Sequence, residues 1–309
     1  MSELIARSPQ LTAWYRAIRP RTLTATYVPL GAAAVIAIER NAFDLGLFVL
    51  CVIAALALQV AANLINEYAD YRRGADALKE AGQGMVIKQA MLTPQRVLYG
   101  AVMTMLVGIA IGVFLLFQSG PLLLWIGLGG VLVVITYTAG PFPLAYHGLG
   151  EAAVFVFMGP LMVLGTYYIM SGGQVGWTPV LVGVPIGLMV AAILHANNIR
   201  DIDADRAANK RTLAVRFGLR FARAEYVSLV GGAYVLTALL VLSGTMPWPT
   251  LLVLLTIPEA YRLMRVFLTS RDTALLHKAQ GGTARLHGRF GLWLVAGWLV
   301  ALAGQRLVG

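Results

Sequence analysis

The sequence predicts an all-α integral membrane protein of about nine transmembrane helices in one domain, residues 1–309. Three observations carry this. Hydrophobic residues make up 59% of the chain and charged residues only 12%, against roughly 25% charged in a soluble domain. Apolar windows long enough to cross a hydrocarbon core, which takes about 20 helical residues, recur along the whole length. The basic residues, which give a net charge of +10, gather in alternate loops.

In order, the windows are 22–39, 45–69, 96–117, 121–138, 150–171, 178–199, 224–243, 249–268 and 288–307. The fourth and eighth are short or carry charges near an end. Ser119-Gly120-Pro121, Gly140-Pro141-Phe142-Pro143, Gly172-Gly173 and Gly244 to Pro249 separate them, because Gly and Pro end helices for backbone reasons. Before the first window, 1–21 lacks the charged-then-apolar plan of a cleavable signal peptide. It reads as an amphipathic segment offering Leu4, Ile5, Leu11, Trp14, Tyr15 and Ile18 to a membrane surface. The single Cys51 excludes an intrachain disulfide or a cysteine metal site.

Arg7, Arg16, Arg19 and Arg21 precede the first window. Arg72, Arg73, Lys79 and Lys88 follow the second. Arg200, Arg206, Lys210, Arg211, Arg216, Arg220 and Arg223 follow the sixth, and Arg265, Arg271, Lys278 and Arg285 stand at or after the end of the eighth. The opposite loops hold little beyond Arg40 and Arg306. The positive-inside rule then places the N-terminus and the even-numbered loops in the cytoplasm. This accounts for the basic balance without nucleic acid.

Two polar stretches interrupt the apolar pattern. Leu194–Leu213 reads LHANNIRDIDADRAANKRTL. A helix running through it would stack Asn197, Asp201 and Asp205 at i, i+4 and i+8, with Asn198 beside them and Asp203 facing away. The second window ends in Asn63, Asn66, Glu67 and Asp70, at i, i+3, i+4 and i+7, followed by Arg72, Arg73 and Asp76. Asn63 with Glu67 echoes Asn197 with Asp201, and window parity puts both segments on one membrane face. Carboxylates at helix C-termini meet the negative end of the helix dipole and are costly near the bilayer. A hard divalent cation with oxygen ligands, sharing a phosphate-bearing substrate held by Arg and Lys, relieves this. Ordinary ion pairs with Arg72, Arg73, Arg200 and Arg206, or a solvated loop, are the plainer alternatives.

These residues resemble the UbiA superfamily of intramembrane prenyltransferases and, within it, the 1,4-dihydroxy-2-naphthoate prenyltransferases of menaquinone synthesis. The matching pieces are Arg19-Pro-Arg-Thr-Leu23, Asn63 to Asp76, Tyr137 to Glu151, Gly165-Thr-Tyr-Tyr168, Asn197 to Arg206 and Lys210 to Leu213. The resemblance implies a ring of nine helices around a lipid-open cavity in the plasma (inner) membrane, with a cytoplasmic active-site mouth. It implies two Mg²⁺ ions held by Asn63, Asn66, Glu67, Asp70, Asn197, Asp201 and Asp205. Asp70, Asp201, Asp205 and Tyr137 would carry catalysis. Arg72, Asp76, Lys88, Thr138, Asn198, Arg200, Lys210 and Arg211 would bind substrate. The implied reaction moves a polyprenyl group from its diphosphate to an aromatic acceptor through an allylic cation. For dihydroxynaphthoate the ring carboxylate leaves as CO₂, giving demethylmenaquinone.

Two departures stand out. Glu67 takes the place of the family's usual Asp, and the loop after Asp76 lacks a Gly-Pro-x-Arg pattern, where Lys88 would substitute for the arginine. Tyr137, Tyr146, Phe155, Phe157, Tyr167 and Tyr168 are available to stabilise a cation. Glu151 could orient the acceptor, assist proton transfer or bond the adjacent turn; His195 reads as packed; Glu259 has Arg262 at i+3 as a partner. A different acceptor, such as another quinone precursor or a tail alcohol, is the alternative within the family. A transporter is the alternative outside it, although transporters place their sites near the midplane in interrupted helices.

Overall fold

The computed structural model describes residues 8–75 and 84–308, and every regular element among them is helical. Helix α1 (Pro9–Ile18) starts on Ser8, whose side chain accepts from the Leu11 N–H, with proline at its first position. It stops at Arg19, which takes left-handed φ 57°, and a 3₁₀ turn over Pro20–Leu23 leads into α2 (Thr24–Glu39). Ala13 and Ala17 are fully buried against Leu64, Val97 and Ala101, while Leu11 and Tyr15 face outward. The segment is thus clamped to the bundle by its small face, with an apolar face left over. Leu4, Ile5, Arg7, Asp76 and Lys79 lie outside the described residues.

The remaining helices are α3 (Leu45–Arg72), α4 (Pro94–Ser119), α5 (Leu122–Thr136), α6 (Gly150–Met158), α7 (Pro160–Met170), α8 (Trp177–Arg200), α9 (Ile202–Ala207), α10 (Leu213–Leu242), α11 (Ile257–Thr269) and α12 (Thr273–Val308). Asp44, Thr93 and Thr212 cap α3, α4 and α10 through their side-chain oxygens. Seven of the nine windows coincide with stretches of helix long and apolar enough to cross a bilayer. The fourth is the shorter α5, of 15 residues. The eighth is divided between a 3₁₀ stretch, Trp248–Thr256, and α11. Helix α12 begins well before residue 288, so Lys278 and Arg285 are helical rather than loop residues. Likewise α10 absorbs Arg216, Arg220 and Arg223, with a kink at Gly218 (φ 81°).

The fifth window breaks at Gly159-Pro160, where α6 hands over to α7. Gly183 and Gly187, one turn apart on α8, receive this break backbone to backbone. A Cβ on Gly183 would stand 2.5 Å from the Pro160 Cα, and one on Gly187 2.5 Å from the Phe155 carbonyl. Only small residues allow such an approach. Behind α2 and α8, helices α10, α11 and α12 close a solid core around Tyr226, Phe267, Phe290, Leu294 and Trp298, all fully buried. On the other side α2 through α8 leave a cavity of about 560 Å³ between them.

Candidate active site

The cavity is apolar for most of its length, walled by residues such as Leu30, Ala54, Leu58, Ile109, Leu116, Val131, Phe157, Leu161 and Ile193. Most of its polar residues gather where α3 and α8 end: Asn63, Asn66 and Asp70 from one, Asn197, Asn198, Arg200 and Asp201 from the other, with Arg19, Tyr137, Glu151 and Lys210. The two sequence segments therefore do meet at one mouth.

Lys210 joins them. Its Nζ lies 3.7 Å from Asp205 and 4.0 Å from Asp70, and all three side chains are nearly inaccessible. The Tyr146 hydroxyl donates to Asp70 Oδ1 at 2.9 Å. Burial, followed by the charge of Asp70, pushes the Tyr146 phenol up from its ordinary value, so it stays a donor. The Asn66 amide nitrogen contacts Asp70 Oδ2 at 3.4 Å, and its oxygen accepts from Arg19 at 2.7 Å. Asn63 donates to the Ile18 carbonyl and the Thr22 hydroxyl at 2.8 and 3.2 Å, tying the N-terminal segment to α3.

On the α8 side the helix does not run straight through. It ends at Arg200, Asp201 leaves helical geometry (φ −96°, ψ 11°), and α9 restarts at Ile202. The backbone ladder still bridges the break, Asp201 N–H to Asn197 O at 2.9 Å and Asp205 N–H to Asp201 O at 2.7 Å. The expected stripe is thereby preserved on two short pieces. Arg200 grips Asp201 through two bonds of 2.6 Å, while its remaining nitrogen faces His277 at 3.0 Å. Asp203 points into solvent and pairs with Arg206.

Several expected residues sit elsewhere. Glu67 is buried but absent from the cavity wall: Arg19 pairs with it at 3.1 Å, and the N–H groups of Met85 and Ile87 donate to it at 2.9 and 3.3 Å. A carboxylate so satisfied anchors the chain after residue 84. Gly84 (φ 81°) allows the close fit, since a Cβ there would overlap the Glu67 carboxylate. Glu67 is thus engaged by these partners and does not line the cavity wall. Asp205, beside Lys210, and Thr138 are buried off the cavity wall, and Arg72 and Lys88 are exposed away from it. Arg211 lines a separate surface pocket with Arg73 and Arg216, and only its backbone N–H reaches the site region, at the Tyr146 carbonyl. Asp76 lies outside the described residues.

Of the aromatic candidates, only Tyr137 and Phe157 line the cavity. Tyr146 stacks beneath Arg73 and Lys210, and Tyr167 lies under Arg40. Glu259 pairs with Arg289 at 2.7 Å rather than with Arg262, which bonds the Pro258 carbonyl. His147 bonds the Pro143 carbonyl and stacks on Phe142, holding its turn. No site role for Arg19 is legible in the sequence beyond its place in the Arg19-Pro-Arg-Thr-Leu23 stretch. Nothing local reveals that a residue before the first window reaches the end of the second.

Comparison with known proteins follows this geometry closely. Residues 27–279 match the model of the UbiA prenyltransferase family. The chain is 32% identical over 284 residues to the 1,4-dihydroxy-2-naphthoate octaprenyltransferase of Bacillus subtilis, covering 92% of this chain and 91% of that one. A UbiA homolog from Aeropyrum pernix superposes with TM-score 0.67 at 21% identity, covering 90% of this chain and 98% of that one. A UbiA homolog from Archaeoglobus fulgidus bound to GPP and Mg²⁺ gives TM-score 0.61 at 16% identity, with 92% and 99% coverage. This all-helical membrane chain belongs to the UbiA prenyltransferase family.

Proposed function

We propose that this prenyltransferase moves a polyprenyl group from polyprenyl diphosphate to 1,4-dihydroxy-2-naphthoate, with loss of CO₂, in a Mg²⁺-dependent reaction. The observation that carries the reading is the meeting of two acidic helix ends around Lys210 at the polar mouth of an otherwise apolar cavity. The acceptor is inferred from the relative in Bacillus subtilis. The metal is inferred from the donor set and from the Archaeoglobus fulgidus homolog bound to GPP and Mg²⁺.

The donors are oxygens only, carboxylates and amides, which fits a hard divalent cation. Asp70, Asp201 and Asp205, with Asn63 and Asn197, would hold two Mg²⁺ ions. Bound there, Mg²⁺ would supply electrostatic stabilisation to the departing diphosphate. Arg19, Arg200 and Lys210 add fixed positive charge at the same mouth, where developing negative charge gains most from preorganised partners. The apolar wall excludes water and houses the prenyl chain. Tyr137 and Phe157 present aromatic faces to an allylic cation inside it. Asn66 supports Arg19 and Asp70 rather than the metal. Basic residues beside this mouth support the reading that it faces the cytoplasm at the plasma membrane.

The test is a reconstituted assay with purified protein, Mg²⁺, labelled polyprenyl diphosphate and a panel of aromatic acceptors and tail alcohols. Expected is a prenylated, decarboxylated naphthalenediol, abolished by a chelator and restored by Mg²⁺. Transfer to another acceptor alone would reassign the substrate. Absence of diphosphate release with every acceptor would favour the transporter alternative.

A further inference from the structure

The cavity holds one acid that the diphosphate machinery does not use. Glu151, in the first turn of α6, is buried and lines the cavity. Asp70, Asp201 and Asp205 each face an Arg or Lys, whereas the hydrogen-bond partners of Glu151 are an amide and an imidazole. Asn198 donates to its Oε1 at 2.8 Å, and His195 Nδ1 stands 3.0 Å from the same oxygen. His195 is wholly buried; its Nε2 lies 2.8 Å from the Ala222 carbonyl and 3.5 Å from Glu225 Oε2. Both groups fix the carboxyl by the same oxygen, Oε1, and the residue lines the cavity. Tyr137 borders the same patch of wall: a Cβ on Gly150 would sit 3.3 Å from its hydroxyl. An acid inside a membrane domain is expensive and is retained for a purpose. A carboxyl held by an amide and an imidazole, with no Arg or Lys at hydrogen-bond distance among the described residues, suits a neutral hydroxyl better than an anion.

We infer that Glu151 binds the ring hydroxyl next to the carboxylated carbon of the aromatic acceptor, takes its proton during attack, and returns it afterwards. This rests on the prenyl-transfer reading above. The bond from the prenyl carbon to diphosphate oxygen breaks, and its electron pair leaves on the diphosphate. A π pair of the ring forms the new carbon–carbon bond at the carboxylated carbon. The neighbouring O–H gives its proton to Glu151 and becomes a ketone. The product is a β-keto carboxylate, which loses CO₂; the released pair restores the ring, and Glu151 returns the proton to the oxygen. No outside acid or base is consumed. Asn198 and His195 are positioning residues for this carboxyl.

The experiment follows transfer and diphosphate release together in wild type, Glu151→Gln and Glu151→Asp, with Mg²⁺, labelled polyprenyl diphosphate and the dihydroxynaphthoate. A general base contributes about 10²–10⁴-fold. Glu151→Gln is therefore expected to lower kcat for transfer by about 100-fold or more at an unchanged KM for the prenyl diphosphate. Diphosphate release should then exceed prenylated product, the difference appearing as prenol, which also reports an intact ionising site. Glu151→Asp should recover part of the loss. With an acceptor methylated at the hydroxyl beside the carboxylate, wild type and Glu151→Gln should become equal. Transfer by Glu151→Gln within about threefold of wild type would overturn the inference, as would an equal loss on both acceptors. Failure of wild type with every acceptor would instead overturn the prenyl-transfer reading itself.

Discussion

The two acidic segments look like copies in sequence and are used differently in space. Asn63–Asp70 lies on an unbroken helix that continues to Arg72, whereas Asn197–Asp205 is split at Asp201. In the first segment the acid four residues after the leading asparagine, Glu67, is consumed by Arg19 and two backbone N–H groups. Its counterpart Asp201 is also paired, through both oxygens with Arg200, but it lines the cavity. Equal spacing therefore did not give equal roles. An arginine arriving from the N-terminal segment and two backbone N–H groups fasten one of these acids. The broken helix kept the other at the mouth, with Lys210 between the segments.

Substitutions can break or sharpen this contrast. Asp201→Ala should have the largest effect, a loss of about 10³-fold or more in prenyl transfer, with a normal elution profile in detergent. Retention of near-wild-type rates would remove Asp201 from the diphosphate site. Lys210→Met should come next, lowering turnover by about 10²-fold. It also leaves Asp70 and Asp205 facing each other without their shared cation, so thermal unfolding should move to lower temperature. Adding Mg²⁺ should recover much of that shift, and a melting curve with and without the ion checks it.

Glu67→Gln sharpens the comparison most directly. Losing a charged partner of Arg19 should destabilise the fold by about 1–3 kcal/mol, with turnover per folded molecule reduced less than tenfold. A loss as deep as that of Asp201→Ala, at unchanged stability, would return Glu67 to the metal site. The smallest effect is expected for Asp203→Asn. Its carboxylate is exposed and pairs only with exposed Arg206, an arrangement worth close to nothing. Turnover should stay within about twofold of wild type.

Much of the fold could be read from local pattern. Seven of the nine windows fall on helices long enough to cross a bilayer, and the two polar stripes fall where α3 and α8 end. Less legible were the ends and breaks. Trp248–Thr256 takes 3₁₀ form, and α12 begins in what reads as a basic loop, because burial of Gln280, Thr283 and His287 holds it in the bundle. Within the site, Asp70, Asp201, Asn197, Arg200 and Lys210 were identifiable from charge and spacing. Thr138, Arg72 and Arg211 were near in sequence to the right place and yet point away from it.

Hydropathy and helical period are properties of neighbouring residues, so the sequence by itself determined a membrane bundle with two acidic stripes on one face. Which carboxylates remain for chemistry depends on groups distant in the chain. Arg19 reaches Glu67 from 48 residues away, and Tyr146 reaches Asp70 from 76. Glu151 is held by Asn198 from 47. Only packing brings such partners together, and a buried carboxylate takes its role from the partner it finds.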